Sequence, residues 1–256
     1  MKGMNMRLGV LLRKEFLESW RTYRAIVLLA VFVLFGILSP VGARYLPELL
    51  KTMDMQGMVI QIPPPTIADA NVQFVKNMSQ IGTIVMILVA MGVVARERDK
   101  GTVAFTLSKP ASRGAFLLAK FLALAVIVWA SLAVAALAHL FYTGLLLGPL
   151  SFRACAVMTT LVGLYLTTIL ALAFLGSTVT KSLAVAAAVG FGGYLALSLA
   201  GGLPRVGKFM PGDLLGRALA AGNGAAQAGW GSALVSLGLI VACLALAWAV
   251  FRKAEL

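Results

Sequence analysis

Apolar residues gather along this chain into six blocks, at residues 25–46, 80–95, 116–148, 154–175, 183–200 and 231–251. About 20 such residues in a helix cross the roughly 30 Å of hydrocarbon in a bilayer. The pattern predicts an all-α integral membrane protein with six transmembrane helices. Turn or charged residues bound each block, and the third is longer than one crossing needs, so it tilts or projects beyond the bilayer. The chain reads as one transmembrane domain over residues 1–256.

The first 24 residues have a different pattern. Leu8, Leu12, Phe16, Trp20 and Tyr23 recur at helical spacing, with Arg7, Lys14, Glu18 and Arg21 on the opposite side. This predicts an amphipathic interfacial helix, with its aromatic residues at headgroup level and its cations toward anionic lipid. The same helix could offer one face to a cytoplasmic partner. The block that follows is long enough to stay in the membrane as a span rather than be removed as a signal peptide.

Composition supports the membrane reading. With 61% hydrophobic and 12% charged residues, the chain is too poor in polar side chains to cover a soluble globule of its size. The net charge of +13 would suggest nucleic acid on a soluble domain. Here the cations lie between apolar blocks, where they set orientation. With the N-terminus inside, only Arg44, Lys51, Lys76, Arg153, Arg205, Lys208 and Arg217 of the 22 lysines and arginines fall outside. Both termini are therefore expected in the cytoplasm, in a plasma or inner membrane.

Outside, Pro63-Pro64-Pro65 precedes Thr66 and Asp69, which can form a capping box for a short outer helix leading into the second span. A second short helix is expected near residues 214–221. The fifth span is rich in Ala and Gly, including Ala186, Gly190, Gly192 and Gly193, and is expected to pack closely on its neighbours. Cys155 and Cys243 fall in different spans and form no metal pattern.

Catalytic chemistry finds no footing. Gly202 to Lys208 spells most of a phosphate-binding loop, but Phe209 stands where a hydroxyl must meet magnesium, and the segment lies on the outer side. No Asp or Glu falls within the six blocks, which weakens a proton- or sodium-driven pump. His139 is the only histidine and reads as a hydrogen-bonded or interfacial residue near Tyr142. Energy for any work must come from elsewhere.

The informative stretch runs from Glu97 to Lys120. Gly101 permits a turn, Thr102 to Leu107 is short and amphipathic, Lys109-Pro110 breaks it, and Ser112 can cap the helix that follows. A rigid charged elbow of this kind can pass a push from a soluble partner to two spans.

Glu97, Gly101, Thr102, Leu107, Pro110, Ser112, Arg113 and Lys120 together resemble the stretch between spans two and three of the type-2 permeases of ATP-binding-cassette transporters. Arg13-Lys14-Glu15-Phe16 is similar to that family's amphipathic connecting helix, and Phe251-Arg252-Lys253 to its basic end. The resemblance implies a permease of an ATP-driven exporter, paired with a second permease as homodimer or heterodimer, and two separate ATPase subunits. ATP and magnesium would sit on those partners, with no cofactor on this chain. The residues from Glu97 to Arg113 would include the coupling helix. Arg113 is expected to face an acidic ATPase surface or Glu97. Competing readings are a secondary transporter or channel, and a membrane scaffold.

Overall fold

The computed structural model describes residues 2–52, 63–102, 112–225 and 229–253. Among them are α1 (Lys2–Arg21), α2 (Arg24–Thr52), α3 (Ile67–Ala90), α4 (Ala95–Asp99), α5 (Arg113–Leu146), α6 (Phe152–Val179), α7 (Leu183–Gly201), α8 (Asp213–Gly222) and α9 (Gly231–Lys253). Six stretches are long and apolar enough to cross a membrane: Arg24–Leu49, Ile67–Asp99, Arg113–Leu146, Phe152–Val179, Leu183–Gly201 and Gly231–Lys253. No strand occurs among the described residues.

The second span differs from its sequence reading. Thr66 and Asp69 do form the capping box, but the helix they start runs without a break from Ile67 to Ala90. Polar residues such as Asn71, Asn77 and Ser79 mask its first half from a hydropathy reading. They are tolerated because they find partners. Asn77 donates to Ser39 at 3.0 Å, and Asn71 donates to the Gly222 carbonyl at 3.1 Å and to Asn223 Oδ1 at 3.0 Å. Fully buried His139 lies 3.1 Å from Asn71 Oδ1 and stacks on Phe74. Because the amide oxygen can only accept, His139 Nε2 donates. The histidine thus joins α5 to α3, and Asn71 carries the tie on to α8.

The core lies between α2, α3, α5 and α6, where Leu28, Phe32, Phe74, Ile87, Leu132, Leu166 and Phe174 are almost wholly buried. Gly36 lets α2 approach α5 so closely that a Cβ there would stand 2.5 Å from the Ala135 carbonyl oxygen. The Ala- and Gly-rich α7 packs closely as expected, but along one edge only. Only Ala186 and Gly190 are buried, Gly192 has open space, and Leu195 and Leu199 face outward. Its small residues let α6 approach along one edge, where Phe191 and Tyr194 also pack on the core, and leave the opposite face exposed among the described residues.

Candidate functional site

The end of the bundle that carries both termini is built around a buried charge. Lys120 sits two turns into α5, its side chain fully buried. An ammonium in such a place is costly unless paired. Its Nζ lies 2.9 Å from Glu15 Oε2 and 2.9 Å from Glu97 Oε1. Half-exposed Lys14 reaches the same group, at 3.0 Å from Glu15, 3.0 Å from Glu18 and 3.1 Å from Glu97. The three carboxylates lie within 4.8 Å of one another, a spacing that would suit a cation, and the two ammonium groups fill that role. Lys120 also lies over the Phe116 ring at 5.0 Å.

Electrostatics outside the spans follow this geometry. Burial works against the Lys14 ammonium, but Glu15, Glu18 and Glu97 outweigh it and hold the group protonated above its ordinary range. Burial likewise works against the Glu18 carboxylate, and Lys120, Lys14 and Arg24 overcome it, lowering its pKa. Glu97 gives Oε1 to both lysines and leaves Oε2 buried without a hydrogen bond among the described residues. The cluster is held together yet incompletely satisfied, which leaves it room to rearrange.

The cluster explains how α1 lies. Glu15 and Ser19 face inward, while Phe16, Leu17, Trp20 and Tyr23 are exposed. The charged side of the helix, expected toward water and headgroups, is thus turned partly into the protein through Lys14, Glu15 and Glu18, and the apolar side is left for lipid. Leu12 is partly buried, Arg13 is exposed, and Leu8 lies in the first half of the helix.

Helix α4 is held separately. Ser177 Oγ, near the end of α6, accepts from Val94 N–H at 2.9 Å and Ala95 N–H at 3.1 Å, capping the short helix from across the bundle. Arg98 donates to the Thr178 carbonyl. Gly101 follows at φ +68°, with no neighbour within 4 Å of a Cβ there among the described residues, and Thr102 Oγ1 donates back to the Glu97 carbonyl at 3.3 Å. Leu107 and Pro110 lie outside the described residues.

Beyond them Ser112 caps α5 by accepting from Ala115 N–H at 3.1 Å. Arg113 does not meet Glu97. It donates to the carbonyls of Phe251 at 3.2 Å and Arg252 at 2.7 Å, at the C-terminal end of α9, where free carbonyls and the helix dipole attract a cation. The stacking of Phe116 on Phe251, with centroids 5.7 Å apart, fastens the same joint.

The site therefore brings Glu97 and Lys120 together with Glu15 and Lys14, and sends Arg113 elsewhere. Sequence reading placed Glu18 on the charged face of the first helix but not in this cluster, and missed Ser177. It also counted Lys120 with the loop, although an apolar block already begins at Phe116, and a lysine inside such a block is itself a signal that an acid must approach.

Residues 10–211 match the family described as ABC-2 family transporter protein. The chain is also 29% identical over 251 residues to the uncharacterized transmembrane protein YxlG of Bacillus subtilis (strain 168), an alignment that covers 96% of this chain and 97% of that protein. The six apolar helices, the match over most of their length and the full-length relative lead to one conclusion: the chain belongs to the ABC-2 transporter family and is one of its membrane components.

Proposed function

We propose that this membrane component is the permease of an exporter, with its termini in the cytoplasm of a plasma or inner membrane, driven by two separate ATPase subunits and paired with a second permease. The observation that carries the reading is the buried cluster of Lys120, Glu15 and Glu97, which joins the surface helix α1, the post-span helix α4 and the span α5. A push on the segment after Gly101 would reach two spans and α1 together, because α4 cannot move without disturbing Lys120. ATP and magnesium belong to the partner chains, and this chain hydrolyses nothing. The largely bare α7 supports pairing with a second permease, since its small residues suit a close helix contact. A half-open cavity of about 480 Å³ between α3, α6, α7 and the region of α8, lined by Ser79, Gln80, Tyr165, Tyr194, Ser198 and Asp213, offers polar groups to a substrate on its way out.

The test is purification in mild detergent, identification of the chains that come with this one, and transport by the reconstituted complex with and without ATP. A soluble ATPase in the complex and ATP-dependent outward movement support the reading. Transport by this chain alone, driven by an ion gradient, contradicts it.

A further inference from the structure

Two arginines from different helices converge on one backbone position. Arg24, the first residue of α2, donates Nη2–H to the Gly92 carbonyl at 3.3 Å. Arg96, in α4, folds back over the same glycine so closely that a Cβ on Gly92 would stand 2.9 Å from its Nε. Both line a half-open cavity of about 160 Å³ with Tyr23, Val27, Leu88 and Val89. Neither guanidinium forms an ion pair among the described residues, and Arg96 forms no hydrogen bond there. Nearby Glu18 is engaged by Lys14, and it attracts Arg24 through space without forming an ion pair with it.

Two like charges beside one cleft repel each other, and between them they keep several N–H donors open. Such a cleft fits a phosphate, whose oxygens accept from two guanidinium groups at once. Its other wall is apolar, and exposed Ile26, Val27 and Leu88 continue it over the surface of the span. The ligand is therefore an anion on a hydrocarbon body. Arg24 opens one candidate span and Arg96 lies near the end of another, so the cleft stands where the apolar layer ends.

We propose that Arg24 and Arg96, converging on Gly92, bind the phosphate of an anionic phospholipid from the leaflet at the termini-bearing end, the inner one in the orientation given above. The lipid bridges the bend between α1 and α2 to α4, beside the charge cluster, and braces it. Binding needs no ATPase, so this inference can fail while the exporter reading stands, and the reverse.

The test is native mass spectrometry of the intact chain taken from nanodiscs of phosphatidylglycerol or phosphatidylcholine. One retained phosphatidylglycerol per chain is expected, with at least a tenfold loss of occupancy in Arg96→Gln and in Arg24→Gln/Arg96→Gln, and none in Arg153→Gln, at the other end of the bundle. Gly92→Ala keeps every charge but displaces Arg96, and it should lose the lipid too. Equal retention in all variants overturns the proposal. Retention in Gly92→Ala shows diffuse charge attraction instead, and saturation by inorganic phosphate without lipid shows a free-anion site. Either of these results also overturns it.

Discussion

Lys120 and Glu15 lie 105 positions apart in the sequence, yet their charged atoms meet at 2.9 Å, with the lysine side chain wholly buried. This pair fixes α1 against α5, and Glu97 draws α4 to the same point. Substitution of Lys120 by Ala leaves two carboxylates facing each other without their buried cation, a loss of about 3–5 kcal/mol for a broken buried pair. Thermal unfolding in detergent should show the variant as strongly destabilised. A variant as stable as the parent would show that the pair holds nothing together.

The cluster also gives a direction to pH dependence. Glu18 is lowered below its ordinary 4.5, so the stability it contributes is present above that value and is lost as pH falls through its folded-state pKa. Lys14 is raised above its ordinary 10.5, so its contribution is complete below that value and is lost only at more alkaline pH. The chain should keep this part of its stability across neutral pH and lose it in acid, and Glu18→Gln should flatten the acid limb. An unchanged acid limb in that variant would contradict the assignment.

Arg113 makes a different prediction from the one its sequence setting suggested. Because it donates to the Phe251 and Arg252 carbonyls, Arg113→Ala should loosen the C-terminal end of α9, at a cost of about 1.5–3 kcal/mol for a charged hydrogen bond. Hydrogen exchange should rise at the last turn of α9 and stay unchanged in α4. Faster exchange in α4 instead would restore the pairing with Glu97.

Much of this was legible in the sequence because lipid imposes a simple rule. A run of apolar residues as long as the bilayer is thick becomes a helix, and a serine or threonine before a run caps it, as Ser112 and Thr66 do. What was hidden depends on distant partners. The first half of α3 looked like a loop because its asparagines are polar, and only contact with Ser39, Gly222 and Asn223 makes them compatible with a span. Arg113 looked like a surface charge because nothing in its neighbourhood shows that the end of α9 lies beside it. The small residues of α7 announce close packing but not against which chain.

Orientation can be read directly with single cysteines at two exposed positions, Lys181 before α7 and Gly212 before α8. An impermeant thiol reagent should label Gly212→Cys in intact cells and spare Lys181→Cys until the membrane is opened. The reverse pattern would turn the molecule over.

The central claim, that motion enters through the segment after α4, is tested most directly at Gly101. At φ +68° the position disfavours side chains by backbone conformation. Asparagine tolerates this region, whereas a β-branched residue does not and must re-aim the chain that follows. With the copurifying ATPase in liposomes, Gly101→Asn should transport like the parent. Gly101→Val should hydrolyse ATP and assemble normally while transport falls at least tenfold. Equal transport by Gly101→Val and the parent would show that this segment only spaces the spans and carries no force.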